Sequence, residues 1–338
     1  MRSVFNVAQP NFSIAEASDL VYSHYGIRCL ADELYSERDQ NFYIVAENNK
    51  KYVLKISNPV EDISSIQMQI DCTNHIQQQD PNLNIPFTIK SSTGNHIITH
   101  NIDGNDYYIR MVTFIKGIFL KDHHQNKDML FFLGSFMARL DSAMHGFNHP
   151  AVKRKFAWNL SQHNFLKNFS KELDSGQDRE IVQRFLYEAH KYFEQHKRDI
   201  RFAVIHNDGN DHNILIDDLD DKIGIIDFGD MGYSYQVAEP AVAMAYVAID
   251  SDDPLNSMGQ ILKGYHEFFQ LSEKELKFTI YLVCLRLSIS VTMASYRKKL
   301  FSENKYITIS ESSAWKFLRS MNQKDLKEIS ESLYEFVN

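Results

Sequence analysis

Three polar side chains in one stretch of the chain have the types and the spacing that phosphoryl transfer requires. Asp208 closely follows the apolar run that leads into His206, and Asn213 and Asp227 come later along the chain. A carboxylate beside an acceptor hydroxyl can orient that hydroxyl and take its proton, and hard oxygen ligands hold a divalent ion on the nucleotide phosphates. The sequence therefore predicts Asp208 as the catalytic carboxylate, and Asn213 and Asp227 as ligands of Mg²⁺ or Mn²⁺.

The segment that carries these residues is a short apolar strand, then HxDxxxxN, a second apolar strand and DFG, over residues 204–230. This order matches the catalytic loop and metal-binding segment of kinases. Asn207 stands where protein kinases have arginine, which argues against regulation through a phosphorylated loop. His206 is predicted to brace the turn by hydrogen bonds to the backbone. Either half of the pattern alone is weak, but the two together favour a kinase over an acidic loop followed by a chance DFG.

Lys55, within the apolar run YVLKI, is predicted to be the cation that holds the nucleotide. A kinase needs a positive charge at this place to bind the α- and β-phosphates. A polar residue from the next predicted helix, residues 61–79, would orient the lysine. Gln69 and Asp71 are better placed for this than Glu61, which comes at the very start of the helix.

No glycine-rich phosphate loop precedes Lys55. The turn between the first two predicted strands is SERDQNF, residues 36–42, so side chains and backbone amides of a tight turn would have to replace the glycines. Arg38, Gln40 and Asn41 are the predicted nucleotide-binding residues of this turn. Because protein kinases cover the phosphates with GxGxxG, its absence favours a small-molecule kinase.

The chain resembles the aminoglycoside phosphotransferase and choline kinase superfamily, which usually carries HGDxxxxN where this chain has HNDGNDHN. Within it, the chain is most similar to the hydroxylysine kinase branch and its bacterial relatives. Asn207, in place of the glycine, leaves the catalytic and metal positions intact. The segments that carry the similarity are residues 36–42 with 52–55, residues 110–117, residues 133–141 with 147–150 and 158–160, and residues 227–231 with 239–241.

The resemblance implies an α+β fold of the bilobal, protein-kinase-like kind, with a small antiparallel-sheet N-lobe and a mostly helical C-lobe. It also implies that ATP or GTP is the phosphate donor. The acceptor would be a small amine or hydroxy amino acid similar to hydroxylysine. By the same resemblance, residues 113–116 form a hinge whose backbone binds the purine, so Thr113, Phe114 and Ile115 are nucleotide-binding candidates.

The acceptor site can be predicted only from the charges that its ligand would need. A cationic amine requires a carboxylate, for which Asp230 is the first candidate and Glu239 the second. A substrate carboxylate requires a cation, and Arg286 is conspicuous because it lies in the apolar helix LVCLRLSISVTMASY. A buried charge is normally paired, so an ion pair between helices is the alternative for this arginine. Trp158 and Tyr233 are candidates for the walls of the site, although aromatic residues usually belong to the core.

The elements that position these residues change in type near residue 115, which divides the chain into lobes 1–115 and 116–338. The first lobe has a predicted helix over 13–25, with Ser13 as its N-cap, and then short alternating strands typical of an antiparallel sheet. The second lobe is helical except for a β-rich interruption at 202–232. Its helices are predicted at 126–145, 176–197, 237–249, 255–270, 273–300 and 311–336.

Composition limits the remaining classes of function. The chain has 338 residues and a net charge of −8, which argues against general binding of nucleic acid or of anionic membranes. Three cysteines without a CxxC pair indicate free thiols in a reducing compartment. The N-terminus has no apolar signal core, and the longest apolar run, at 237–249, is too short to span a bilayer. We therefore expect a cytoplasmic protein, whose oligomeric state the sequence does not determine.

Several alternatives stay open at this point. Homoserine, choline or ethanolamine, and an aminoglycoside are other possible acceptors. A catalytically weak, nucleotide-binding pseudokinase is a second class, suggested only by Asn207 and by the absence of an obvious carboxylate partner for Lys55. A protein kinase is disfavoured because the chain has no glycine-rich loop and no activation segment that ends in APE.

Overall fold

The computed structural model describes residues 9–36, 38–173, 176–220, 222–300 and 311–338. The chain divides into two compact units, Met1–Gln78 with Asn84–Lys116 and Gln79–Leu83 with Gly117–Asn338. The division after Lys116 lies beside the predicted lobe boundary, and the short segment 79–83 belongs with the second unit.

The first unit is an antiparallel sheet with two helices. Its elements are α1 (Ile14–Tyr25), β1 (Cys29–Leu34), β2 (Gln40–Ala46), β3 (Lys51–Ile56), α2 (Ile63–Gln79), β4 (Thr88–Ile89), β5 (Ile98–Ile102) and β6 (Asn105–Thr113). The strand order is β1-β2-β3-β6-β4, and β5 also pairs with β6. Helix α1 begins with a capping box formed by Ser13 and Glu16, as the Ser-x-x-Glu spacing predicts.

Alternating side chains build the core of this first unit. Burial alternates along β2, so that Phe42 and Ile44 point inward. They join Leu54 of β3 and Leu20 and Val21 of α1 in one apolar cluster. Because alternate residues of a strand point to opposite faces of the sheet, these inward-pointing side chains form the face on which α1 packs.

The second unit is mostly helical. Its helices are α3 (Lys127–Met144), α4 (Leu166–Phe169), α5 (Gly176–His196), α6 (Ala238–Asp250), α7 (Pro254–Phe268), α8 (Glu273–Leu300), α9 (Glu311–Asn322) and α10 (Leu326–Val337). Its strands are β7 (Ile118–Phe119), β8 (Phe202–Ile205), β9 (Ile214–Asp217), β10 (Lys222–Ile225) and β11 (Gly232–Tyr235). They form the small sheets β10-β9-β7 and β11-β8. The α+β class with a sheet-based N-terminal part and a helical remainder is confirmed.

Helices α3 and α7 approach each other closely because glycines lie at their contact. A Cβ on Gly134 would lie 2.0 Å from the carbonyl oxygen of Ile261, and one on Gly264 would lie 1.9 Å from that of Phe131. Both distances are far below any van der Waals contact. The two helices can pack at this distance only with glycine at both positions, and this packing brings polar side chains of α3 and α7 together.

Two predictions about elements need correction. The single helix predicted at 311–336 is two helices, α9 and α10, because Asp325 caps a new helix through the backbone N–H of Lys327. The apolar run at 237–249 is not the most membrane-like segment, since Glu273–Lys299 of α8 is long and apolar enough to cross a bilayer. However, 89% of that apolar window is buried inside the protein, which is the pattern of a core helix.

Candidate active site

The hairpin of β9 and β10 brings the two predicted metal ligands to the same end of one small sheet. Ile214 pairs with Ile225, and the backbone N–H of Ile226 donates to the carbonyl of Asn213 at 2.9 Å. Asn213 thus precedes β9 at the end of the hairpin where Asp227 follows β10. Antiparallel pairing alone requires this, because the start of one strand meets the end of its partner.

Asp208 lies on the loop between β8 and β9, and side chains donate hydrogen bonds to both of its oxygens. Nη2 of Arg286 and Nδ2 of Asn210 reach Oδ1 at 2.5 and 3.0 Å, and Nδ2 of Asn213 reaches Oδ2 at 2.8 Å. The side chain of Asp208 is 17% exposed. Burial raises the pKa of Asp208 to about 7, although the charge of Arg286 lowers it. Such a carboxylate can accept a proton near neutral pH.

His206 braces this loop, as predicted. Its Nε2 lies 3.1 Å from the carbonyl oxygen of Ile226, and its Nδ1 accepts the backbone N–H of Asp208 at 3.3 Å. Burial lowers the pKa of His206 to about 4, so the ring is neutral, and these partners assign its proton to Nε2. The imidazole therefore joins the catalytic loop to the end of β10.

Asn207 explains how the loop turns without the glycine of the superfamily pattern. Its φ is 66°, in the left-handed region that glycine adopts freely and that asparagine tolerates better than most residues. Its Nδ2 donates to the carbonyl oxygens of Trp158 and Asp230, at 3.3 Å in both cases. The asparagine therefore reproduces the turn and also ties it to two neighbouring segments.

Glu239 also holds the loop, which corrects its predicted role as a substrate ligand. Its Oε2 accepts the backbone N–H of Asn207 at 2.8 Å, and the residue is 0% exposed. Burial raises the pKa of Glu239 to about 7. A carboxyl group without accessible surface cannot meet a substrate amine, so the prediction for Glu239 is wrong and its role is to position Asn207.

Several hydrogen bonds hold the turn that begins at Asp227. Its φ is 61°, and its Oδ1 accepts the backbone N–H of Gly229 at 3.2 Å. The guanidinium of Arg154 donates to the carbonyl oxygens of Gly229 and Met231 at 2.5 and 2.6 Å. The turn that presents the Asp227 carboxylate is therefore held by a cation from a distant segment.

The donor set of the hairpin fits a hard divalent ion. Since Nδ2 of Asn213 is turned toward Asp208, its amide oxygen is the atom left for a cation, and Asp227 adds a carboxylate. Oxygen ligands of these two kinds suit Mg²⁺, which is normally held by few protein groups together with nucleotide phosphates. Within the described ranges, no group of three or more His, Cys, Asp or Glu side chains could hold a metal ion.

Arg286 has a partner that the sequence did not indicate. The residue is 1% exposed, and its ion-pair partner is Asp208, the predicted catalytic carboxylate, rather than a carboxylate of a neighbouring helix. Its guanidinium lies over the ring of Trp158 at 4.6 Å and near the ring of Tyr246 at 5.5 Å. Because a substrate carboxylate would have to reach this enclosed group, the predicted role in substrate binding is replaced by a pairing with Asp208.

The other predicted acceptor-site residues differ in how close they lie to Asp208. Asp230 is 5% exposed and lies close enough to Asp208 for its charge to raise the pKa of that carboxyl. Trp158 stacks on the cation that binds Asp208. Tyr233 stacks instead on Phe202, with ring centroids 5.6 Å apart, at the start of β8, whereas Asp208 follows the end of that strand.

Within the first unit, Lys55 lies on β3 opposite Asn41 of β2 and Arg110 of β6. Oδ1 of Asn41 is buried without a hydrogen-bond partner in the part of the chain that the structure describes. Gln69, a predicted partner of Lys55, accepts instead from Nη2 of Arg110 at 2.7 Å. The other, Asp71, accepts from Gln67 at 2.8 Å, and the polar partner of Lys55 stays a prediction.

Gln40 is a structural residue, which corrects its predicted contact with nucleotide. It is 5% exposed, its Oε1 accepts the backbone N–H of Phe12 at 2.7 Å, and its Nε2 donates to Phe12 O and to Glu33 at 2.9 and 2.8 Å. With its amide used in this way, it ties the segment before α1 to the sheet. Arg38, the charged candidate of this turn, is half-buried.

Backbone groups at the start of the predicted hinge, residues 113–116, already form hydrogen bonds with other residues of the first unit. The backbone N–H of Thr113 donates to Phe87 O at 2.9 Å, and that of Phe114 to Lys51 O at 3.4 Å. Thr113 Oγ1 accepts the N–H of Phe87 at 2.9 Å. Ile115 is largely buried, at 8% exposure. A purine bound by this backbone would therefore not use the N–H groups of Thr113 and Phe114.

Sequence reasoning missed several residues that organise the site. Asn210 is in the predicted loop, and its Oδ1 accepts the backbone N–H of His212 at 2.8 Å; since asparagine in a loop favours such an Asx turn, a signal existed. Arg154 and Tyr246 had none, because they come from segments far along the chain and contact the site only through tertiary packing.

The site geometry and the fold together define a small-molecule kinase, and the chain belongs to the phosphotransferase enzyme family, which matches residues 34–272. Hydroxylysine kinase of Mus musculus is 32% identical to it, over 95% of this chain and 93% of that protein. The enzyme is thus a phosphotransferase with a hydroxyl group as acceptor.

Solved structures support the same fold. An amicoumacin kinase in complex with AMP-PNP, Ca²⁺ and Ami matches with a TM-score of 0.73 and 15% identity, over 94% of this chain and 97% of that chain. A microcompartment-associated aminopropanol kinase matches with a TM-score of 0.70 and 15% identity, over 95% of each chain. The predicted family is confirmed.

Proposed function

We propose that the enzyme transfers the γ-phosphate of ATP or GTP to the hydroxyl of a hydroxy amino acid, with hydroxylysine as the first candidate. The observation that carries the proposal is the carboxylate of Asp208, which is oriented by hydrogen bonds on both oxygens beside the Asn213–Asp227 hairpin. The similarity to hydroxylysine kinase supports this acceptor above homoserine, choline, ethanolamine and aminoglycosides.

Asp208 accepts a hydrogen bond from the acceptor hydroxyl and so directs its oxygen toward the γ-phosphorus. As the new oxygen–phosphorus bond forms, the bond from the γ-phosphorus to the nucleotide breaks, and the hydroxyl proton passes to Asp208. Most of the rate enhancement in such a reaction comes from positioning and from neutralising charge. Fixing the carboxylate is therefore more important than making it a strong base.

Mg²⁺ or Mn²⁺, held by Asn213 and Asp227, would neutralise charge on the nucleotide phosphates. Lys55, with Asn41 beside it in the sheet, is proposed to bind the α- and β-phosphates. Arg38 stays a candidate for the same phosphates, and Ile115 for the purine.

On the acceptor side, Asp230 is proposed to attract the substrate amine. It is the carboxylate of the DFG turn other than the proposed metal ligand Asp227, and its charge acts on Asp208. Trp158 is proposed as a wall of the site, and the exposed Tyr233 as a more distant one.

The test is a phosphate-transfer assay with purified protein and Mg²⁺, using γ-labelled ATP and, separately, GTP. The acceptors are 5-hydroxylysine, homoserine, choline, ethanolamine and an aminoglycoside. We expect the highest kcat/KM with hydroxylysine and no transfer by Asp208→Asn. Asp218→Asn, an exposed carboxylate on the same hairpin unit, is the matched control and should behave as wild type.

Two outcomes would contradict the proposal in different ways. Preferred transfer to another acceptor would make the acceptor wrong but keep the kinase. Nucleotide binding without transfer to any acceptor would indicate a pseudokinase.

A cytoplasmic location stays a prediction, supported by three free cysteines.

A further inference from the structure

We propose that Arg286 is a positioning residue that fixes the carboxylate of Asp208, so that Oδ2 is the atom that receives the acceptor hydroxyl. The inference rests on the proposed function, because it gives Asp208 a catalytic role. It adds a residue from a distant helix, α8, to the site and assigns separate tasks to the two oxygens of Asp208.

The burial of Arg286 requires an explanation. It is the largest side chain of the described residues that is fully buried, and it lies in the middle of the apolar helix α8. Removing a guanidinium from water is costly unless partners compensate it, and an apolar residue of similar volume often stabilises a protein more. A cation at this position is therefore better explained by what it does to its partner than by stability.

The plane of the guanidinium is fixed by its surroundings. Trp158 and Tyr246 contact it with their rings, and Nε donates to the hydroxyl of Tyr246 at 3.3 Å. Because the guanidinium is rigid and planar, these contacts fix the direction in which Nη2 points. That direction is toward Oδ1 of Asp208.

Counting lone pairs then assigns the reactive oxygen. An ionised carboxylate offers about four acceptor sites, two on each oxygen. Among the described residues, the side chains of Arg286 and Asn210 donate to Oδ1 of Asp208, whereas one side chain, that of Asn213, donates to Oδ2. The site left open is on Oδ2, and the carboxyl group is partly exposed, so the acceptor hydroxyl can reach it.

Charge also requires a cation at this place. Asp227 and Asp230 lie close enough to Asp208 for their charges to act on it, and like charges would push the three carboxylates apart. The charge of Arg286 acts on both Asp208 and Asp230. Without it, the carboxylate of Asp208 would rotate toward solvent, and its hydroxyl-binding site would be lost.

The first experiment compares steady-state kinetics of Arg286→Met, Arg286→Lys and wild type with the best acceptor. We expect kcat to fall about 100-fold in Arg286→Met, the size expected when a reacting group is misplaced by about 1 Å, while both KM values stay within about threefold. Arg286→Lys should recover part of kcat. Added guanidinium ion should raise the kcat of Arg286→Ala.

Arg201→Met is the matched control for the loss of an arginine. Arg201 pairs with the fully buried Glu275 of the same helix α8, at 2.7 Å, and its other side-chain acceptor is the carbonyl oxygen of Gln270, so its hydrogen bonds do not involve the catalytic loop. This variant should lose thermal stability but keep the kcat of wild type. An equal loss of kcat in both variants would show that Arg286 acts only through stability and would overturn the proposal.

A rise in the acceptor KM of Arg286→Met with unchanged kcat would also overturn it, because Arg286 would then bind the substrate. Melting temperatures of Arg286→Met, Asp208→Ala and the double variant test the pair without any turnover. The double variant should melt no lower than Arg286→Met, since no unpaired charge is left. Additive losses would refute the pairing. If wild type phosphorylates no acceptor while this coupling is observed, the proposed function fails and the pairing stands.

Discussion

Two buried carboxyl groups of the second unit, Asp208 and Asp141, have opposite surroundings. Asp208 faces a guanidinium and keeps 17% of its side chain exposed. Asp141, on α3, is 3% exposed, and its Oδ2 accepts from Nε2 of Gln236 at 2.7 Å and from the hydroxyl of Tyr265 at 2.5 Å. Both of these donors, in the described part of the chain, are neutral groups.

The difference shows how the fold distinguishes a working carboxylate from a structural one. Burial raises the pKa of Asp141 well above its usual value, and the nearby Glu239 raises it further. Asp141 is therefore most stable protonated, as a neutral hydrogen-bonding group between α3 and α7. Burial raises the pKa of Asp208 as well, but the charge of Arg286 counteracts this and favours the ionised carboxylate. Glu239 connects the two clusters, since it faces Asp141 and holds Asn207.

Exchanging each carboxyl group for an amide is the strongest test of the difference between Asp208 and Asp141. Asp208→Asn should lower kcat at least about 1,000-fold, because an amide cannot take the hydroxyl proton. Nucleotide affinity should change less than threefold. Asp141→Asn makes the same chemical change in the structural cluster and should lower kcat less than about threefold. Transfer assays and calorimetry measure these effects.

Wild-type turnover by Asp208→Asn would remove its catalytic role. A comparable loss in Asp141→Asn would mean that the two carboxyl groups belong to one functional network, and the contrast between them would be wrong.

The metal side of the Asp208 cluster gives the next largest effect. Asp227→Ala should lower nucleotide affinity about 100-fold in the presence of Mg²⁺, because a main ligand of the ion is lost. In EDTA, wild type and variant should bind nucleotide with similar affinity. Calorimetry with and without metal separates these cases. An equal loss in EDTA would show that Asp227 acts on the fold and not through an ion.

Asn207, between the two clusters, tests the turn. Asn207→Ala loses hydrogen bonds to two carbonyl groups and places an unsuited Cβ at a positive φ, so it should cost about 2–3 kcal/mol. Asn207→Gly loses the same bonds but relaxes the backbone, and should cost about 1 kcal/mol. Urea unfolding should therefore rank wild type above glycine and glycine above alanine. Equal losses would show that the backbone conformation contributes nothing.

Asp141→Asn gives the smallest effect, on the pH dependence of stability. Since the folded pKa of Asp141 is raised, its favourable contribution is complete below about pH 4 and is lost as the pH rises toward the folded pKa. The variant should therefore become progressively more stable relative to wild type as the pH rises from 5 to 8. Asp250→Asn, on an exposed carboxylate of α6, is the control. An unchanged difference across this range would mean that Asp141 is ionised throughout.

Local patterns were enough to predict the separate parts of the site. The HxDxxxxN and DFG segments, with apolar runs of β-branched residues beside them, predict both the hairpin and the residues at its ends, because antiparallel pairing follows from short-range contacts. Ser13 and Glu16 predicted the start of α1 in the same way. Gln40 and Glu239 were misassigned, since a polar residue near a motif has the same local pattern whether it faces a ligand or a backbone N–H.

The class of reaction, the candidate catalytic carboxylate and the candidate metal ligands follow from the sequence alone, because these residues lie within one short stretch whose spacing fixes their relative placement. The partners of that carboxylate follow only from tertiary packing. Arg286, Tyr246 and Trp158 come from segments with no local relation to the loop. A buried charge shows that a partner must exist, but the packing of distant helices determines which residue it is.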